Sequence, residues 1–277
     1  DPHWPRKVWE DRVPEIRKCI SCNIGCIGGH VFNDLYMRCT VNPVVGHERF
    51  EGWANLIPAK KTKNVMVVGA GPGGMEAARV AALRGHSVTL YEKENELGGQ
   101  VRIALKAPGK DKLGFIPAYY THTLKTSGVR VETGMQVNED LIREKKPDVV
   151  IIATGARPLM PDIRGIDRTD RVAVSWNVLE GTAQVQGKRV IVAGGGLVGC
   201  ETALYLAKQG KVVTIIEMMD ELACDMEPVT RFDFLTELLP KTGIKVILKR
   251  VIAEIADEGV VVLDRWGASR WWRPTAR

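Results

Sequence analysis

A run of short β-branched residues, a three-glycine loop and a helix-like stretch occurs twice in this chain. That repetition limits its folds more than any other feature. Val65-Met-Val-Val-Gly69-Ala-Gly71-Pro-Gly-Gly74 is echoed by Val190-Ile-Val-Ala-Gly194-Gly-Gly196-Leu-Val-Gly199. After the first loop the pattern predicts a helix to Leu83, a stop at Gly85 and a strand over 87–91 that ends at Glu92. After the second it predicts a helix to Lys208, a stop at Gly210 and a strand over 212–216 that ends at Glu217. In both copies the acid stands 23 residues beyond the first glycine. Such agreement of spacing predicts an α/β fold with two Rossmann-like dinucleotide-binding units.

The chemistry of a dinucleotide site accounts for the residue types. A pyrophosphate must approach backbone N–H groups closely, and a side chain at the wrong position would block it. In each loop the first glycine (Gly69, Gly194) permits the tight turn and the second (Gly71, Gly196) admits the phosphates. The third (Gly74, Gly199) lets helix and strand pack together. The following helix turns its unpaired N–H groups and positive dipole end toward the anion. Glu92 and Glu217 are placed to accept hydrogen bonds from a ribose. An acid there bonds a 2′-hydroxyl and repels a 2′-phosphate, and Met218, Met219 and Asp220 supply no arginine to reverse that, so the second site is expected to prefer NADH.

A different signal lies upstream. Cys19, Cys22, Cys26 and Cys39 follow a C-x2-C-x3-C-x12-C spacing, with Gly25, Gly28 and Gly29 between them. Thiolates at such intervals can wrap a compact metal centre, and the glycines let the backbone turn and aim amides at sulfur. Iron–sulfur ligation and a four-cysteine zinc site both fit the residue types, and unligated or disulfide-bonded cysteines are also open. Zinc knuckles usually pair one C-x2-C with another, which this spacing does not do. Cys200 and Cys224 form no C-x-x-C pair and read as a buried small residue on a helix and a loop cysteine.

Charge excludes little. Thirty-nine Lys and Arg against 33 Asp and Glu give a formal +6, yet four of those arginines fall within 265–277, a stretch without an acid. No basic stripe interleaved with aromatics occurs elsewhere, so nucleic-acid binding is not expected. Apolar runs such as 65–69 and 149–153 fall far short of the ~20 residues that span a bilayer, so no membrane partner is expected. Clustered cysteines without a secretion pattern point to a reducing compartment, and the expected location is cytoplasmic. Between the repeats, 140–146 reads as helical, 148–153 as a buried strand and 157–171 as a Pro/Gly/Asp-rich connection. Beyond Glu217 a helix over 227–241 and strands near 245–248 and 260–263 are expected. The tail from Trp266 has no usable pattern.

These residues resemble the C-terminal portion of the iron–sulfur flavoenzymes related to old yellow enzyme, a group that includes 2,4-dienoyl-CoA reductase, 2-enoate reductases, NADH:flavin oxidoreductases and trimethylamine dehydrogenase. The resemblance runs over 1–264. It is carried by the four cysteines with Asn42-Pro43, by Gly98-Gly99-Gln100 and Ala153-Thr154-Gly155, and by the stretch from Gly194 to Glu201. The phrase from Leu222 to Arg231 is most similar to the 2-enoate reductase branch. The resemblance implies FAD lined by Gly69, Gly71, Gly74, Glu92, Gly99, Gln100, Thr154 and Gly155. It likewise implies NADH lined by Gly194, Gly196, Gly199 and Glu217, and a 4Fe-4S cluster on Cys19, Cys22, Cys26 and Cys39.

It further implies electron flow from NADH through FAD and the cluster to FMN in a barrel domain that precedes these residues in the family and holds the small-molecule acceptor, with residues 1–5 as the barrel's last turn. The expected division is a cluster segment over 1–50, an incomplete FAD domain over 51–185, a truncated NADH domain over 186–264 and an irregular tail over 265–277. The expected activity is NADH-dependent reduction of an enoate or enoyl-type C=C bond, in a possible homo-oligomer. Two alternatives stand beside it: an electron-transfer subunit resembling the small chain of glutamate synthase, and a non-catalytic fragment that only binds nucleotide.

Overall fold

A computed structural model describes residues 3–264 and 266–272. Contacts divide the chain into two units, one made of Asp1–Leu105 with Asp111–Ala156 and the other of Lys106–Lys110 with Arg157–Arg277. The Cys-rich stretch thus belongs to the first unit, and the connection over 157–185 to the second.

The first unit is built on a parallel sheet of β1 (Asn64–Val68), β2 (Ser87–Tyr91), β3 (Arg130–Glu132) and β4 (Val149–Ile152), in the order β3-β2-β1-β4. Val65 pairs with both Val88 and Val149. Such pairing of β-branched residues suits a sheet covered by helices. Upstream lies α1 (Trp4–Trp9); the helices of the sheet unit are α2 (Pro72–Leu83), α3 (Gln100–Ala104), α4 (Phe115–Thr126) and α5 (Glu139–Lys145). Alanines and Met75 let α2 lie close to the sheet, where Val67, Ala70, Met75, Leu90 and Leu124 are fully enclosed.

Helix ends follow local chemistry. Gly85 stops α2 with φ +93°, a conformation that costs glycine nothing, and its N–H reaches back to Ala82 O. Asn138 caps α5 by accepting a hydrogen bond from Leu141 N at 2.9 Å, and Glu139 and Asp140 follow where the helix dipole favours acids.

In the second unit β5 (Arg189–Ala193), β6 (Val212–Ile216) and β7 (Lys245–Ile247) form a parallel sheet in that order. α6 (Ser175–Glu180), α7 (Leu197–Lys208) and α8 (Pro228–Asp233) accompany it. α7 is buried through Cys200, Ala203, Leu204 and Leu206. A second sheet, antiparallel in the order β10-β9-β8, comprises β8 (Val251–Ala256), β9 (Gly259–Leu263) and β10 (Ser269–Trp272). Ile252, Val260 and Val262 join Ile216, Ile191 and Ile247 in a separate core.

Three elements depart from expectation. The helix anticipated over 227–241 is α-helical only to Asp233, then π-helical over Phe234–Leu238 and 3-10 over Leu239–Lys241. Pro240 explains the break, because it lacks an N–H and crowds the carbonyl four residues back. β8 was not anticipated: Ala and Glu dilute its β-branched residues, and its register slips between Ile252 and Glu254. The tail is not irregular throughout, since Ser269–Trp272 pairs with β9. Asp264 makes the turn by accepting from Trp266 N and Ala268 N. Residues 265 and 273–277 of the expected tail lie outside the described residues.

Candidate functional site

At the end of β1 the chain turns at Gly69, whose φ is +103° and whose N–H donates to Tyr91 O at 2.8 Å. A Cβ on Gly74 would stand 1.9 Å from Gly69 O, so α2 rests directly on the loop. Gly71 has no atom within 4 Å of the place a Cβ would take, which leaves its backbone open to a ligand. Glu92 is 7% exposed and tied at both oxygens, accepting from Ala70 N at 2.7 Å and Glu94 N at 3.0 Å. Each carboxylate oxygen keeps a further lone pair for a ribose hydroxyl.

The remaining predicted residues gather here. Gly99 backs onto Gly71 Cα, and Thr154 Cα lies beside Gly69. Gln100 Nε2 donates to Ala156 O at 3.1 Å and lies against Gly155. All of them stand at the carboxyl ends of β1 and β4, where the strand order changes direction. Ligands bind open α/β sheets at such a switch point.

The second loop repeats this construction. Gly194 has φ +91° and its N–H donates to Ile216 O at 2.9 Å; a Cβ on Gly199 would stand 2.0 Å from Gly194 O. Glu217 is buried and accepts from Gly195 N at 2.5 Å and Met219 N at 2.7 Å. One element has no counterpart in the first loop: Asp225 Oδ1 accepts from Leu197 N at 2.7 Å. No sequence signal marked Asp225. Its residue type at a helix start is a capping signal, but it caps a helix 28 positions earlier in the chain.

The four N-terminal cysteines form no disulfide. Ser21 N donates to Cys19 Sγ at 3.3 Å, and Ser21 and Asn23 take left-handed φ values of 55° and 56° on either side of Cys22. Cys22 Sγ meets Thr40 Oγ1 at 3.2 Å, next to Cys39. Arg38 N donates to Gly25 O at 3.2 Å, and a Cβ on Gly25 would stand 2.5 Å from Arg38 O. Glycine at 25 thus lets the neighbours of Cys26 and Cys39 touch. Among the described residues no three His, Cys, Asp or Glu side chains converge so as to hold a metal ion. A single zinc needs its sulfurs on one point at ~2.3 Å. A four-iron cluster offers each thiolate its own iron, and the donor set with an amide on sulfur fits that group.

Arg17 fastens this segment. Its guanidinium donates to Val41 O at 2.9 Å, to Tyr119 Oη at 2.9 Å and to both Glu76 oxygens at 3.2 and 3.3 Å. Arg79 also holds Glu76. Burial works to raise the Glu76 pKa, but the Arg79 hydrogen bonds and the two guanidinium charges outweigh it and hold the carboxyl below its ordinary value. Sequence spacing gave no hint of this link between the Cys-rich segment and α2. Cys200, by contrast, is sealed in the second core, and burial pushes its thiol up to about 12.

Two glycine loops of one construction, each at the carboxyl end of a parallel strand, define a protein with two dinucleotide sites, of the FAD- and NAD-binding oxidoreductase type. The chain belongs to the pyridine nucleotide-disulphide oxidoreductase family, whose model matches residues 63–267. It is 47% identical to an NADH oxidase of Thermoanaerobacter brockii, over 96% of this chain and 41% of that protein. A cinnamate reductase of Clostridium sporogenes is 39% identical, over 95% of this chain and 38% of that protein. In structure it superposes on a 2-naphthoyl-CoA reductase with TM-score 0.92 and 37% identity, over 99% of this chain and 41% of the other. The expected kinship with iron–sulfur flavoenzymes related to old yellow enzyme is borne out by these relatives, of whose length the chain spans about two fifths. Among the described residues no helix is long and apolar enough to cross a membrane.

Proposed function

We propose that this chain is the electron-entry module of an NADH-dependent flavin and iron–sulfur oxidoreductase, serving an FMN-bearing barrel that reduces an enoate or enoyl-type C=C bond. The observation that carries the reading is the doubled site. Two loops of the same construction, each with an acid tied to the loop backbone, suit one flavin nucleotide and one nicotinamide nucleotide. In this reading Gly69, Gly71, Gly74, Glu92, Gly99, Gln100, Thr154 and Gly155 hold FAD, and Gly194, Gly196, Gly199 and Glu217 hold NADH. Cys19, Cys22, Cys26 and Cys39 hold a 4Fe-4S cluster. Flavin supplies the conversion of a two-electron hydride into single electrons that a cluster can carry.

The chain's own residues bind and orient. Glycine backbones accept the pyrophosphates, Glu92 and Glu217 fix the riboses, and Arg17 keeps the cysteine segment on α2. The substrate class rests on the relatives named for cinnamate and 2-naphthoyl-CoA reduction. The test is purification without oxygen, followed by iron, sulfide and flavin analysis and addition of NADH. Iron and sulfide near four per chain, with flavin absorbance bleached by NADH, is expected. A folded, colourless, metal-free protein refutes the proposal.

A further inference from the structure

The two glycine loops differ at the place where a phosphate would meet the start of the helix. In the first loop nothing lies within 4 Å of a Cβ position on Gly71, and the helix begins with Pro72, which has no N–H to satisfy. In the second, the equivalent Gly196 faces Asp225, both of whose carboxylate oxygens lie 3.2 Å from that position. One of them accepts the first N–H of α7, from Leu197, at 2.7 Å.

We propose that Asp225 is an internal substitute for phosphate: its carboxylate holds the anion position of the second loop in nucleotide-free protein and must leave it when a nicotinamide nucleotide binds. This rests on the reading of that loop as the NADH site. Leu197 N–H is one of the orphan donors at a helix start. It cannot serve a carboxylate and a pyrophosphate in the same geometry, and two anions at that distance repel.

The surroundings show which part moves. Ala223 N donates to Gly195 O at 2.7 Å, and Leu222 and Met226 are buried in the core of the second unit. Arg231 Nε donates to Leu222 O at 2.9 Å. The backbone on both sides of Asp225 is therefore pinned, while Asp225 itself is exposed. Rotation about its side-chain torsions frees Leu197 N–H without unseating the segment. The device keeps stray anions off the empty loop and weakens the grip on nucleotide, which shortens its residence.

The test uses the full chain in excess FAD, so that the first loop stays filled, with ADP-ribose and adenosine as calorimetric probes. Asp225→Asn keeps the shape and the acceptor and removes the charge. It is expected to bind ADP-ribose roughly ten-fold more tightly than the unaltered chain, with adenosine affinity unchanged, since adenosine carries no phosphate. Equal or weaker ADP-ribose binding by Asp225→Asn, in protein whose unaltered form binds it, overturns the inference. A measurement without substitution guards against a misfolded variant: the Leu197 amide resonance must shift on adding ADP-ribose, and an unmoved resonance with ligand bound also overturns it. Folded protein that binds no ADP-ribose in either form instead removes the NADH reading, and the inference with it.

Discussion

Gly73 and Gly74 are neighbours in the first turn of α2, yet alanine at the two positions should act in opposite directions. At Gly73 a Cβ meets nothing within 4 Å. Alanine there gains helix propensity of up to ~1 kcal/mol relative to glycine. At Gly74 the new carbon would stand 1.9 Å from Gly69 O and 3.2 Å from Ala153 Cβ. A carbon and a carbonyl oxygen in contact need about 3.3 Å, so α2 must lift by ~1.4 Å or the loop must flatten. The opposing atom is backbone and cannot rotate away, which places the cost near ~3 kcal/mol, at the top of the range for overpacking. Less the propensity gain, Gly74→Ala should destabilise by ~2 kcal/mol and lower the melting temperature by ~4–8 °C. Gly73→Ala should leave it unchanged or raise it by up to ~4 °C. Differential scanning fluorimetry gives the melting temperatures, and flavin retained after gel filtration reports the loop. Equal melting temperatures and equal flavin content in the two variants would refute the view that close approach of helix to loop builds the site.

Further outcomes follow from the same structure. Arg17→Ala removes a cation that is 9% exposed at the side chain and leaves half-buried Glu76 to Arg79 alone; a loss of about 2 kcal/mol is expected in urea unfolding. Arg17→Lys should recover only part of it, because an ammonium cannot form the guanidinium fork. Glu76 titrates below its ordinary 4.5, so its contribution is complete above about pH 4.5 and is lost as pH falls through the lower folded value. Melting temperature should therefore drop on acidification in that window, and more shallowly in Arg17→Ala. Cys200, with its thiol pushed up to about 12, should resist iodoacetamide at pH 8 until the protein unfolds; alkylation of native protein, located by mass spectrometry, would contradict its burial. Cys19→Ser should lose most of the iron found in the unaltered chain by elemental analysis, and full retention would argue against its role as a ligand.

The parts of this molecule legible in sequence are those whose signal is local. β2 and β6 fall where the repeat spacing and the flanking Gly85 and Gly210 put them, and α2 and α7 end at Leu83 and Lys208 as expected. Eight residues named for the first loop converge because their positions are set by one turn, one helix start and two strand ends. Contacts between distant positions were invisible. Arg17 reaches Glu76 across 59 residues, and Asp225 reaches Leu197 across 28. Neither acid nor base is of an unusual type for a surface, so nothing in the chain text separates them from solvated charges. β10 escaped for another reason: a four-residue strand of Ser, Arg and two Trp acquires its identity only from β9 beside it.

The acids at the ends of β2 and β6 are anchored by the protein's own backbone. Glu92 is held by two backbone amides, and so is Glu217. Their rotamers are therefore frozen during folding, and a ribose that docks later immobilises no glutamate. Ordering a side chain of this kind on binding costs ~0.5–1.5 kcal/mol, so each loop gains about two- to ten-fold in affinity over one with a free acid. The same anchoring separates the residue's persistence from its ligand. After duplication of such a unit, a copy that lost its nucleotide would still need the glutamate to close the turn that follows its second strand. In this architecture the acid by itself records the turn, and in the first loop the space left open at Gly71 records the ligand.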